Sequence, residues 1–233
     1  NKLEAGTYTA APVRNAGEVW LSLDTIEETL AKFPPGMIEE MTNGNGPLGI
    51  YPCSYLGSSD PRSPRRALGT MDFIDSRPAV AAVCGYEDNL AHELMHVMEA
   101  RITTYSIVED DGFHTRWLTS VPEGFSYWNA YVDADGYDLN DPEYTVQASG
   151  VAVDYGDVWF VDAYSKTNAQ EDRAMIFEML FTKEPLPAYF SGRHMREKTT
   201  MLCEALRKSF PSCAGEDTLW WERSLDNFDI EGC

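Results

Sequence analysis

The spacing of apolar and polar positions, punctuated by proline and glycine, marks out the elements of this chain. Residues 1–17 are mixed and polar and predict a tether or an edge segment. Asp24 or Thr25 can cap a helix running through Leu30 and Phe33, which the Pro34-Pro35 pair ends, since proline lacks the N–H and crowds the preceding turn. Met37 to Met41 predicts a brief restart, and Asn43-Gly-Asn-Gly-Pro47 a turn. Leu48 to Leu56 and Ala67 to Ile74 are apolar enough for strands, separated by a Gly/Ser/Pro/Arg loop. Ala79 to Val83 reads as a further short buried strand. A helix follows from about Glu87 to Arg101, with Glu87 and Asp88 in its first turn and Arg101 at its far end, as the helix dipole favours.

Residues 103–160 read as loop-rich and aromatic, with turns at Pro122-Glu-Gly124 and Asp135-Gly136 and a strand available at Val151 to Trp159. Helical patterning returns over 171–182 and 194–208, and Trp220-Trp221 is expected to dock on the core. Strands and one helix come first, then loops and helices. That order predicts an α+β fold in one catalytic-sized domain, with an N-terminal lobe of residues 1–102 and a C-terminal lobe of residues 103–233.

Composition changes this picture little. With 233 residues, 43% hydrophobic and 12% aromatic, core material is ample. Charge narrows the function classes. A formal net charge of -20 repels phosphate backbones and anionic headgroups, so nucleic acid is not an expected partner. The basic knot of Arg62, Arg65 and Arg66 reads as a solvated loop. No stretch is long and apolar enough to predict a transmembrane segment. The chain opens on Asn1, as if trimmed, and the expectation is a secreted or cell-surface protein, with a lipid-anchored form left open. Its five cysteines are too dispersed for a metal knuckle, and Cys203 and Cys213, which bracket a short turn, are candidates for a disulfide.

The strongest chemistry is His92-Glu93-Leu94-Met95-His96. Residues four apart share a helix face, so His92 and His96 can offer two imidazole nitrogens to one zinc ion at about 2.0–2.1 Å. Glu93 beside them can take a proton from water and return it to a leaving amine. By average residue usage this pattern arises by chance in such a chain at odds on the order of one per cent. Leu94, Met95, Val97, Met98 and Ala100 make the other helix faces apolar, and buried histidines and glutamates need a partner. A third ligand must come from elsewhere. Glu171, at the start of the amphipathic helix that carries Ala174, Met175, Ile176 and Phe177, is the leading candidate, with Asp172 and Glu178 behind it. Glu99 lies one turn too far along and suits an acceptor behind a ligand imidazole. His114 and His194 are isolated and read as structural.

Tyr164-x-x-Thr167-Asn168-x-x-Glu171, downstream of His92-Glu-x-x-His96, resembles the catalytic domain of anthrax lethal factor and, more broadly, the zinc-binding metallopeptidases of the zincin class. The likeness covers mainly residues 85–101 and 160–180, with a weaker echo in Pro122-Glu-Gly-Phe-Ser-Tyr127. It implies Glu171 as third zinc ligand and Tyr164 as the donor that stabilises the oxyanion. It also implies a two-lobed zincin-like fold, with the active-site helix between a small mixed sheet and a mainly helical C-terminal lobe. By analogy with that fold, a strand within 67–75 would bind substrate as an added β-strand. Asp172-Arg173 stands where an aromatic pair commonly follows the ligand.

The acidic run Asp133, Asp135, Asp138, Asn140 and Asp141 reads as a solvated turn, calcium being the alternative. Phe125, Tyr127, Trp128, Tyr131 and Trp159 are expected in the core, a peptide groove being the alternative. The expected function is that of a secreted zinc metallopeptidase, a hydrolase acting on peptide or protein substrates as an endopeptidase. Its cofactor is Zn²⁺ bound by His92, His96 and Glu171, and Glu93 and Tyr164 do the chemistry. The alternative is a catalytically silent zinc-containing surface or binding protein on the same scaffold.

Overall fold

Among the described residues, six strands pair into one mixed sheet in the first half of the chain. The computed structural model describes residues 3–5, 8–42, 46–58, 66–74, 77–83, 87–127, 158–162 and 164–225. The protein is α+β, and its chain divides into two units: residues 1–101 with 210–220, and residues 102–209 with 221–233.

In the first unit the strands are β1 (Leu3–Ala5), β2 (Tyr8–Pro12), β3 (Gly49–Ser58), β4 (Arg66–Ala67), β5 (Gly69–Ile74) and β6 (Arg77–Val83), in the order β1-β2-β3-β6-β5 with β4 also on β3. β3 and β6 run parallel, Ile50 opposite Val80 and Cys53 opposite Val83. β5 returns antiparallel on β6, Gly69 opposite Ala82 and Ile74 opposite Arg77. β6 is buried from Pro78 through Ala82, the uninterrupted apolar pattern of a strand covered on both faces. The register slips between Ala11 and Pro12, which pair with Tyr55 and Cys53. Such a bulge sharpens strand twist, and it lets Cys53 and Leu56 both enter the core with Ala10 and Ala81. The two ends of the sheet, β1 and β5, come within 8 Å of each other at Cα.

Three helices that begin in this unit bear on the expectations. α1 spans Ala16–Leu30 and starts well before Asp24, because the Asn15 side chain accepts the Glu18 N–H at 2.8 Å and caps it. α1 exposes Val19, Trp20, Leu21 and Leu23 while burying Ser22 and Thr29. α2 is the brief restart, Met37–Met41. α3 runs from Glu87 to Glu109, past Arg101, which was expected at its end. Arg101 instead donates to the Glu40 carbonyl at 3.1 Å and lies over the Phe210 ring at 5.3 Å. Asp110 (φ 49°) and Gly112 (φ 69°) turn the chain out of the helix through left-handed conformations. Residues 210–220 belong to this unit through particular contacts. The Glu40 carboxylate accepts the Ser212 hydroxyl at 2.8 Å and its N–H at 3.2 Å, and Lys32, ion-paired with Glu87, lies over Trp220 at 4.6 Å.

The second unit holds α4 (Phe113–Thr119), α5 (Ala169–Thr182) and α6 (Arg193–Ser209). α5 and α6 match the predicted helices within two residues at each end. α6 buries Met195, Lys198, Met201, Leu202, Ala205 and Leu206, a helical repeat. Trp221 docks as expected: it is fully buried, with Phe177 at 5.5 Å between ring centroids, and a buried side chain of this size contributes about 2–3 kcal/mol. Arg207 grips the Glu222 carboxylate beside it through Nε at 2.7 Å and Nη2 at 2.5 Å.

Cys203 and Cys213 do not form a disulfide. Cys213 is buried with its Sγ against Met37 Sδ at 3.8 Å, and Cys203 is buried on α6, where burial and then the Glu222 charge push its thiol pKa up. The acidic run 133–141, Trp128, Tyr131 and most of the segment 151–159 lie outside the described residues; Trp159 itself sits in irregular backbone. Among the described residues no helix is long and apolar enough to cross a membrane.

Asp111 joins α3 to α4 by accepting the Ser106 hydroxyl at 2.6 Å and the Phe113 N–H at 2.9 Å. Burial works against the carboxylate, but these two hydrogen bonds and the charges of Lys208 and Arg116 outweigh it, so its pKa is lowered. A depressed carboxyl pKa contributes stability above the unfolded value of about 3.9, and that stability is lost as pH falls through the folded pKa. Asp111→Asn is therefore expected to melt a few degrees lower at pH 7, and the gap should close below about pH 4. An unchanged gap down to pH 3 would contradict it.

Candidate metal centre

Over residues 90–99, α3 is buried almost all round. Leu90, Ala91, Leu94, Met95, Val97, Met98 and Ile102 are core residues, and His92, Glu93 and Glu99 are buried beside them. Charged and imidazole groups tolerate such surroundings only with partners. His92 and His96 meet edge-on, their ring centroids 4.9 Å apart, the neighbour relation that a four-residue helical spacing dictates.

α5 presents Glu171 from its first turn. Asn168 is its N-cap: the side-chain oxygen accepts the N–H groups of Gln170 at 2.8 Å and Glu171 at 2.9 Å. The cap fixes where the helix begins, and so where Glu171 points from. Asn168→Ala is expected to cost about 1 kcal/mol, measurable as a lower urea midpoint, whereas Asn168→Ser should retain most of it.

One ligand atom from each of His92, His96 and Glu171 can be chosen so that all three lie within 4.8 Å of one another, with His92 and Glu171 buried and His96 half-buried. Two imidazoles and a carboxylate in this space are a donor set for a borderline divalent ion. The protein can hold a metal ion here, and among the described residues this is the only such group of three.

The other histidine and carboxylate candidates are not members of this group. Glu93 is 7% exposed and lies against β5 at Gly69, where any Cβ would press on its carboxylate. Tyr164 opens a 3-10 turn, 164–166, whose carbonyl accepts the Thr167 N–H at 3.0 Å. His114 packs edge-on to Phe113, and His194 stacks on Trp159. Glu99 and Glu178 lie outside the group of three.

Asp172 proves to have another task. It is fully buried, and its Oδ2 accepts the Trp117 indole N–H at 3.1 Å, the Tyr127 hydroxyl at 2.7 Å and the Lys198 ammonium at 2.8 Å. Lys198, equally buried, also donates to the Trp159 carbonyl at 2.7 Å and lies 4.0 Å from the centroid of the Phe160 ring. Burial pushes the Asp172 pKa up, opposed by the Lys198 charge and by the hydrogen bonds it accepts. Burial and the Asp172 charge also push the Tyr127 pKa up, which keeps its hydroxyl protonated as the donor. Arg173 completes the pair by lying over Trp117 at 5.3 Å and Phe113 at 5.6 Å. Sequence reasoning missed this network, since Trp117, Tyr127 and Lys198 lie 55, 45 and 26 residues from Asp172 and share no motif with it. It also missed Gly69, for which no local signal exists; the Asn168 cap was readable from its position before a helix.

No family model, curated protein or solved structure matches the chain. The class of the protein therefore rests on the site itself.

Proposed function

We propose that the protein is a zinc-dependent endopeptidase of the zincin type, with His92, His96 and Glu171 as zinc ligands. The observation that carries the reading is the convergence of Glu171 on the two histidines of a His-Glu-x-x-His helix, with Glu93 one residue beyond the first histidine. A structural zinc site is closed by four protein ligands, whereas a catalytic one keeps a position open, and three ligands fit the second case. The mixed sheet supports the zincin assignment, because its last strand, β5, runs antiparallel and abuts Glu93.

When bound, the ion supplies Lewis acidity, lowering the pKa of a water and polarising the scissile carbonyl. Glu93 accepts the proton of the attacking water and delivers it to the leaving amine. Its burial strengthens that exchange by excluding bulk solvent. Tyr164 donates a hydrogen bond to the oxyanion as the carbonyl becomes tetrahedral. An extended peptide would lie along β5, gaining main-chain hydrogen bonds. A secreted or cell-surface location is part of the same proposal.

The test is incubation of the zinc-loaded protein with a mixed peptide library, beside Glu93→Gln and a chelator-treated control. Cleavage that both controls abolish is the expected outcome. A library left intact by the wild type would instead favour the silent zinc-containing binding protein.

A further inference from the structure

Gly69 opens β5, and a Cβ placed on it would lie 2.6 Å from Glu93 Cγ, 2.6 Å from Oε1 and 2.9 Å from Cδ. Non-bonded carbon atoms rest at about 3.5–4.0 Å, so a side chain here fits only if the Glu93 carboxylate shifts. The backbone of Gly69 is not left-handed, so space and not conformation is what calls for glycine. The strand backbone cannot easily retreat, so the Glu93 side chain is the part that must give. Gly69 is held opposite Ala82, and the flanking Leu68 carbonyl accepts the Val83 N–H at 2.8 Å. Glu93 belongs to a helix whose Leu94, Met95, Val97 and Met98 are 0–2% exposed.

We propose that Gly69 is a positioning residue for Glu93: the missing side chain lets the strand backbone lie directly on the carboxylate and fixes where it sits. The proposal rests on the reading of Glu93 as general base. A methyl group at residue 69 would push the carboxylate aside by about an ångström, and a misplacement of that size costs about 100-fold in rate. The zinc ligands would be untouched, because Glu93 is not one of them.

The experiment compares Gly69→Ala, Glu93→Ala and the double variant in the full chain. Gly69→Ala is expected to lower Tm by about 3–9 °C, the cost of overpacking a filled site. In the Glu93→Ala background the same substitution should be neutral or raise Tm slightly, since Gly→Ala without a clash stabilises. Zinc stoichiometry of Gly69→Ala should equal that of the wild type. Its kcat on a library-derived peptide should fall about 100-fold with KM changed less than about threefold. A Gly69→Ala protein as stable as the wild type, or an equal Tm loss in both backgrounds, overturns the proposal. A wild type that cleaves nothing overturns the peptidase reading, while the Tm coupling still decides whether Gly69 positions Glu93.

Discussion

On the proposed zinc-peptidase reading, Glu171→Ala is expected to lose nearly all bound zinc, whereas Glu93→Gln should keep its zinc and lose turnover. The two substitutions are close in chemistry and opposite in consequence. Glu171 contributes one of the three ligand atoms gathered within 4.8 Å, and removing it leaves two imidazoles, too few for tight binding at neutral pH. Glu93 sits on the same helix as His92 and His96 but outside that group. Its loss should cost about 10²–10⁴-fold in kcat, the usual worth of a positioned acid–base group. Metal content per mole of protein, measured after dialysis, separates them, and normal zinc in Glu171→Ala would eliminate it as the third ligand. Metal removal has a stability signature as well. Zinc at about 1,000 times its Kd adds about 4 kcal/mol, so chelation should lower Tm in the wild type and hardly at all in Glu171→Ala.

The largest expected stability effect lies at Lys198. Its ammonium and the Asp172 carboxylate are both wholly buried, 2.8 Å apart. Removing one member strands the other, which costs about 3–5 kcal/mol. Lys198→Met would leave the carboxylate to the Trp117 and Tyr127 donors alone, and Asp172→Leu would leave an ammonium facing the Phe160 ring and the Trp159 carbonyl. The paired change Asp172→Leu with Lys198→Met should cost clearly less than the sum of the two, because no charge is then left uncompensated. Chemical unfolding midpoints of the three variants decide it; strict additivity would mean that the two groups do not work as a pair.

The candidate metal ligands and much of the sheet are legible in the chain because both are local patterns. His92 and His96 are a spacing on one helix, Glu171 follows a recognisable cap, and β3, β5 and β6 are apolar runs between turn residues. Helix limits were harder. α1 begins earlier than Asp24 or Thr25 suggests because its apolar Val19, Trp20, Leu21 and Leu23 face outward, and Asn15, its cap, lies in a segment without apolar periodicity. α3 was cut short at Arg101 because a cation at a helix end is a common signal, but Glu40 and Phe210, distant in sequence, claim that side chain. Asp172 is a runner-up ligand by sequence because it stands beside Glu171. Its true partners come from three separate segments, and such long-range pairing leaves no trace in local spacing.

The buried thiols of Cys53 on β3 and of Cys213 and Cys203 make the two units separately legible in solution. Cys53 and Cys213 belong to the first unit and Cys203 to the second. An alkylating reagent can reach each sulfur only when its surroundings open, so modification rates count opening events rather than intrinsic reactivity. Mapping labelled peptides over time would show whether the sheet unit or the helical unit breathes first, and whether adding zinc slows both together.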